Sequence, residues 1–166
     1  MSEDETRKDV FAWFGSAYYA AQCFEVELCI LLILAHRLRE PTLSVEALDE
    51  IDRKLSQRTL GFLIRELPKH FEMQPEFEVL LGSYLEKRNF LAHRFFYERA
   101  SSLLTAGGSE AMVEELRDLY TSFKEADEIA RIMSARCRRI LGISEELVQE
   151  ELDRFLATAR QKGGAA

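Results

Sequence analysis

Residues 5–39 read ETRKDVFAWFGSAYYAAQCFEVELCILLILAHRLR, with no proline before Pro41. Leu, Ala, Glu and Arg, all good helix formers, dominate the run. At 1.5 Å per residue, a helix of that length is about 50 Å long. Helices in water are held mainly by packing an apolar face, so one this long predicts neighbours along its whole length, as in a bundle. Phe11, Phe14, Tyr18, Ala21 and Cys29 follow the 3.6-residue period, and Ile30 to Leu34 are apolar on all sides. That second half predicts more than one neighbour. The longest apolar run, Leu28 to Ala35, falls far short of the roughly 18 residues of a membrane span, and Glu25 and Glu27 stand just before it.

The chain beyond this helix continues the same theme. Pro41-Thr42 breaks it, and Ser44 is placed to cap a short helix ending near Leu55. Ser56 is expected to cap another, carrying Leu60, Leu63, Ile64 and Leu67 and stopping at Pro68. Gln74-Pro75 opens a long helix to about Leu104, with Pro75, Glu76 and Glu78 suited to its first turn. Gly107-Gly108 reads as the clearest loop, and Ser109 as the cap of a helix to Leu141, closed by Gly142. Ser144 is expected to cap a last helix to about Arg160, ahead of a frayed tail at 163–166. No strand alternation, internal repeat or low-complexity tract stands out. The expectation is one all-α domain over 1–162, a helical bundle with three long helices (5–39, 75–104 and 109–141) and several short ones.

Composition narrows the function classes. The 166 residues carry a net charge of −7, so a protein that coats nucleic acid by charge alone is a poor fit and any contact must be local. The 3 cysteines, Cys23, Cys29 and Cys137, form no C-x-x-C pair and read as buried thiols of a reducing cytoplasm. The polar, acidic N-terminus is unlike a signal or transit peptide, which again predicts a cytoplasmic protein with no membrane partner.

The chemistry concentrates in residues 75–100, PEFEVLLGSYLEKRNFLAHRFFYERA. On a helical projection Phe77, Leu81, Tyr84, Leu85, Leu91, Ala92, Phe95 and Phe96 share one broad face, and Arg88 falls in the middle of it. A guanidinium cannot shed its charge, so burial demands a partner or a wet cleft. Two readings fit: a structural one, in which Arg88 pairs with a buried Glu or snorkels past Leu85 and Ala92, and a functional one, in which it meets a ligand. Asn89 and His93 are four apart and share a side, whereas Arg88 and His93 are five apart and diverge by about 140°. Two copies facing across a two-fold axis would line one groove with both residue types.

The segment Arg88-Asn89-Phe90-Leu91-Ala92-His93 resembles the signature of the HEPN superfamily, small all-helical domains of prokaryotic toxin–antitoxin and phage-defence systems. Its pattern is Arg, four to six residues, then His, often with Asn, Asp or His directly after the Arg. The resemblance implies a dimer and, as in many members, a metal-independent endoribonuclease with no cofactor, whose Arg and His line a cleft between protomers. It also implies an antitoxin or nucleotidyltransferase partner. A second Arg-x4-His match, Arg65 to His70, contains Pro68 and lacks the polar residue after the Arg. Some members carry a target tyrosine two residues after the His; here that position is Phe95, and Tyr97 comes four after.

In that chemistry Arg88, Asn89 and His93 are the candidate catalytic residues. Histidine titrates near neutrality and suits acid–base work. Arginine offers a planar, permanently charged fork for phosphate. Asn89 would orient His93 or bind ribose. Lys87, Arg94, Tyr97 and Arg99 surround His93 as candidate RNA or phosphate contacts. No metal site is expected, since His36, His70 and His93 lie far apart in sequence and no H-E-x-x-H motif is present. Arg131, Arg136, Arg138 and Arg139 read as a solvated helix face, and Trp13, Phe14, Tyr18 and Tyr19 as core or dimer contact. The competing function is a non-catalytic helical dimer serving as an interaction or nucleotide-binding module.

Overall fold

The computed structural model describes residues 3–163, and over them the chain is all-helical, with no strand. The helices are α1 (Glu3–Arg39), α2 (Val45–Leu55), α3 (Leu60–Glu66), α4 (Pro75–His93), α5 (Phe95–Glu98), α6 (Ala106–Ile140) and α7 (Glu145–Gly163). Short 3₁₀ turns at Leu67–Lys69 and Ser102–Leu104 join them. Of the frayed tail expected at 163–166, Gly163 belongs to α7, and 164–166 lie outside the described residues.

Two helices, α1 with 37 residues and α6 with 35, form the spine. Trp13 meets Tyr120 edge-on at 5.8 Å, and Phe24 shares a core with Ala126, so the two run parallel. Their buried residues repeat every seventh position: Val10, Ala17, Phe24 and Leu31 on α1, and Ser109, Leu116, Phe123, Ala130 and Cys137 on α6. A seven-residue repeat keeps one seam facing its partner, as in a coiled coil. Three polar groups interrupt this seam. Glu27, Asp127 and Ser134 are buried, and Glu27 Oε1, Asp127 Oδ1 and Ser134 Oγ each lack a hydrogen-bond partner among the described residues.

Parallel helices need a long return, and residues 40–105 supply it. α2 and α3 pack at the far end of α1, where Leu55, Leu60, Leu63 and Leu67 join Phe24, Leu28, Leu31 and Leu32. α4 then runs back antiparallel to α1, placing Leu81 and Tyr84 in that core and Leu91 in the near one with Val10, Ala17, Met112, Leu116 and Phe123. α1 is long and apolar enough by length and composition alone to cross a membrane, but half of its most apolar stretch is buried inside the bundle.

Local signals account for most helix ends. Ser44, Thr59, Thr105 and Ser144 each accept a hydrogen bond from the backbone N–H three residues on. Gly142 closes α6 at φ 70°, the left-handed conformation that glycine adopts at no steric cost. Four expectations need correction. Ser56 ends α2, and Thr59 rather than Ser56 caps α3. Gly107-Gly108 is no loop: Thr105 takes the cap, so α6 begins three residues before Ser109, which is buried with its hydroxyl 3.5 Å from the Leu103 carbonyl. The helix expected over 75–104 stops at His93. There Arg94 turns to φ −124° and re-aims the short helix α5, whose Phe95 and Phe96 lie 6.0 and 4.8 Å from Phe14. Phe11 and Ile30, expected inside, are exposed.

Candidate active site around Arg88 and His93

Arg88 lies on the last two turns of α4, beside α1. Its Nε donates to Glu25 Oε1 at 2.7 Å, and the two side chains are 23% and 21% exposed. It therefore sits at the flank of the buried face and not at its centre, because the chain from Cβ to guanidinium carries the charge out to the α1 edge. The two terminal amino groups of Arg88 make no hydrogen bond to another described residue. Glu25 was not singled out by the sequence. The signal was available: between Asp9 and Arg37 it and Glu27 are the only formal charges, and a carboxylate in an apolar helix needs a cation.

Asn89 and His93 lie on the outer side of α4, exposed, and neither forms a hydrogen bond or ion pair with another described residue. The four-residue spacing does bring them to one side, and the five-residue spacing does separate His93 from Arg88. Around them the candidate phosphate contacts divide. Tyr97 is 88% exposed and Arg94 projects outward, its guanidinium over the Phe90 ring and 3.5 Å from Glu98. Arg99 is already engaged: its Nε and one terminal amine clasp both Glu115 oxygens at 2.9 and 2.8 Å, and that clasp raises its pKa. Lys87 turns inward to α6, donating to Ser122 Oγ at 2.9 Å. These two serve the fold, because α6 presents Glu115 and Ser122 directly opposite them.

The other histidines are brought together. His36 and His70, on α1 and after α3, stack edge-on with ring centroids 4.7 Å apart. Burial, and then the neighbouring His36, lowers the His70 pKa. Among the described residues no three His, Cys, Asp or Glu side chains are grouped to hold a metal ion. Cys29 and Cys137 are buried, with the Cys29 thiol pushed up to about 11 by burial and by Asp52 and Glu25. Cys23 is only half-buried. Of the second basic stretch, Arg131 pairs with buried Asp127 at 2.9 Å.

Compared with known proteins, the chain matches no family model, no curated protein and no solved structure.

Proposed function

We propose that this chain is a metal-independent endoribonuclease of the HEPN type, acting as a homodimer in the cytoplasm, of the kind that serves as a toxin or phage-defence effector. The observation that carries the reading is the state of one turn of α4. Asn89 and His93 face solvent with no partner among the described residues, next to an Arg88 whose terminal amino groups are uncommitted. Water satisfies such exposed groups, so a ligand can take them up without breaking a contact of the fold.

The chemistry follows from those groups. One His93 takes the proton of the RNA 2′-hydroxyl as its oxygen attacks the adjacent phosphorus. Arg88 spreads its charge over the non-bridging oxygens of the phosphorane. The P–O5′ bond breaks, and the departing 5′-oxygen takes up a proton from water, to which His93 returns its own. The products are a 2′,3′-cyclic phosphate and a free 5′-hydroxyl. Arg88 and His93 diverge on one helix, so the pair at one phosphate draws Arg88 from one copy and His93 from the other. Arg94 and Tyr97 extend the exposed surface toward neighbouring nucleotides by charge and stacking. An antitoxin or nucleotidyltransferase would be the natural partner.

The test is to incubate the purified protein with total RNA and tRNA in EDTA and to analyse the ends. Cleavage with cyclic phosphate ends, abolished in His93→Ala, is the expected result. Identical trace activity in wild type and His93→Ala overturns it. A specific observation favours the second reading, a non-catalytic dimeric interaction or nucleotide-binding module: the Arg88–Glu25 pair gives Arg88 a structural partner. On that reading RNA stays intact and Arg88→Ala lowers stability alone.

A further inference from the structure

α7 carries apolar side chains that the bundle does not cover. Leu147, Val148, Leu152 and Leu156 are 41–49% exposed, and no described residue of α7 belongs to either apolar core. A helix in water is held mainly by packing its apolar face, so the 19 residues of α7 call for a partner. α1 has the converse defect. Tyr19, Cys23, Val26 and Ile30 line an open groove of about 630 Å³ between α2 and α6, with Tyr19 68% and Val26 59% exposed. We propose that α7 is a strap that closes into this groove of its own chain, antiparallel to α1 and α6, and that the lifted helix is its open state.

The chain already turns toward the groove. Gly142 stands at φ 70°, and the Gly142 and Ile143 amides donate back to the Arg139 and Arg138 carbonyls at 3.2 and 3.0 Å, which reverses the chain at the end of α6. Ile143, Ser144 and Glu145 then line a small cavity with Ala135, Arg138 and Arg139, so α7 starts over that face of α6. Arg131, one turn before Ala135 on the same face, is the α6 wall of the groove. The connector, residues 141–144, has the length of about two to five residues that joins antiparallel helices. Positions equally far from such a turn stand level, which sets Val148 level with Cys137, Leu152 with Met133 and Leu156 with Ile129. Trp13 touches both Arg117 and Tyr120, and that parallel offset sets Ile30, Val26 and Cys23 level with about 134–137, 130–133 and 127–130 of α6. The two ladders coincide: Val148 meets Ile30, Leu152 meets Val26, and Leu156 meets Cys23. Val148, Leu152 and Leu156 are four apart and form one ridge, and Val26–Ile30 and Tyr19–Cys23 are ridges of the same pitch, so the faces interdigitate. Charge does not choose the occupant. The α2 side carries Asp52 and Arg58, and the α6 side sets Lys124 and Arg131 against Glu27, Asp127 and Glu128, so both signs stand on both walls.

The strap does not rest on the ribonuclease reading. Closed, it hides Cys23 and the apolar face of α1; open, it bares both. The test uses the whole protein. In Leu156→Cys, oxidation with copper phenanthroline should link the introduced thiol to native Cys23 within one chain. The link is read at monomer mass on non-reducing gels and as the joined peptide by mass spectrometry. Leu156 is exposed when α7 is lifted, so the substitution leaves the bundle intact. Adding Cys23→Ser should abolish the link, and Ala157→Cys, aimed about 100° further round the helix, should not form it. Leu152→Glu should hold the strap open, so that iodoacetamide alkylates Cys23 several-fold faster than in wild type while buried Cys29 and Cys137 stay unreactive. An absent intrachain link, a link only between chains, or an equal link from Ala157→Cys overturns the proposal. So does a Cys23 alkylation rate that Leu152→Glu leaves unchanged.

Discussion

Glu25 and Arg88 stand 63 residues apart in the chain and 2.7 Å apart in the fold. The pair ties α4 to the α1 spine at the level where the Arg88–His93 segment begins. It uses only Nε of the guanidinium, so the fork that would meet a phosphate stays available. One contact thus serves packing and leaves the chemistry of the residue intact.

Glu25→Ala separates those roles. Both side chains keep about a fifth of their surface, so the stability lost should be modest, about 1 kcal/mol in urea denaturation. RNA cleavage should fall further than stability, because Arg88 loses its orientation. Arg88→Lys should lose most activity with little change in melting temperature, since an ammonium has no planar fork. Equal losses of stability and activity in both variants would assign Arg88 a purely structural role.

Arg88 and His93 diverge on one helix, so a working pair is expected to combine Arg88 of one copy with His93 of the other. Arg88→Ala and His93→Ala homodimers should each be inactive, and refolding them together should restore part of the activity through one intact trans pair. Inactive heterodimers, verified by mass, would refute cross-protomer pairing.

Gly107 and Gly108 should respond differently to alanine. A Cβ at Gly107 meets open space, whereas one at Gly108 would lie 2.3 Å from the Ser102 carbonyl oxygen, inside any permitted contact. Gly108→Ala should cost about 2 kcal/mol by strain in a tight turn, and Gly107→Ala should be neutral or slightly stabilising through helix propensity. Thermal melts of the two variants decide this.

Ser134→Ala should leave stability unchanged or raise it, because the buried Ser134 hydroxyl has no partner among the described residues and its removal relieves a desolvation cost. On the same seam, Phe123 is fully buried, and Phe123→Ala should cost about 3–5 kcal/mol. Urea midpoints at constant slope measure both.

Acid should weaken the far end of the bundle. Burial and the neighbouring His36, Arg39 and Lys69 lower the His70 pKa, outweighing Glu66, which raises it. A folded pKa below the unfolded value of about 6.5 means that the unfolded state binds the proton more readily. The stabilisation from neutral His70 is then complete above that value and is lost as pH falls below it toward the folded pKa. Urea midpoints should drop from pH 7.5 to pH 5 by more in wild type than in His70→Gln.

The sequence alone determined what is local. The 3.6-residue apolar period, the caps at Ser44 and Ser144, Pro75 at a first turn and Gly142 at a helix end all act over a few residues, and the all-helical class follows from them. The spacing of Asn89, His93 and Arg88 around one helix is equally local, and the fold keeps it. The tertiary structure decided what depends on distant neighbours. The break after His93 re-aims α5, and the Phe95–Phe96 pair that it carries packs on Phe14 of α1. Glu115 and Ser122, far along the chain, claim Arg99 and Lys87, which composition left as candidates for RNA. Glu25 meets Arg88, and His36 meets His70, only because α1 and α6 run parallel and the intervening chain must travel back along them. A helix propensity is a property of a segment, whereas a salt bridge between segments is a property of their packing.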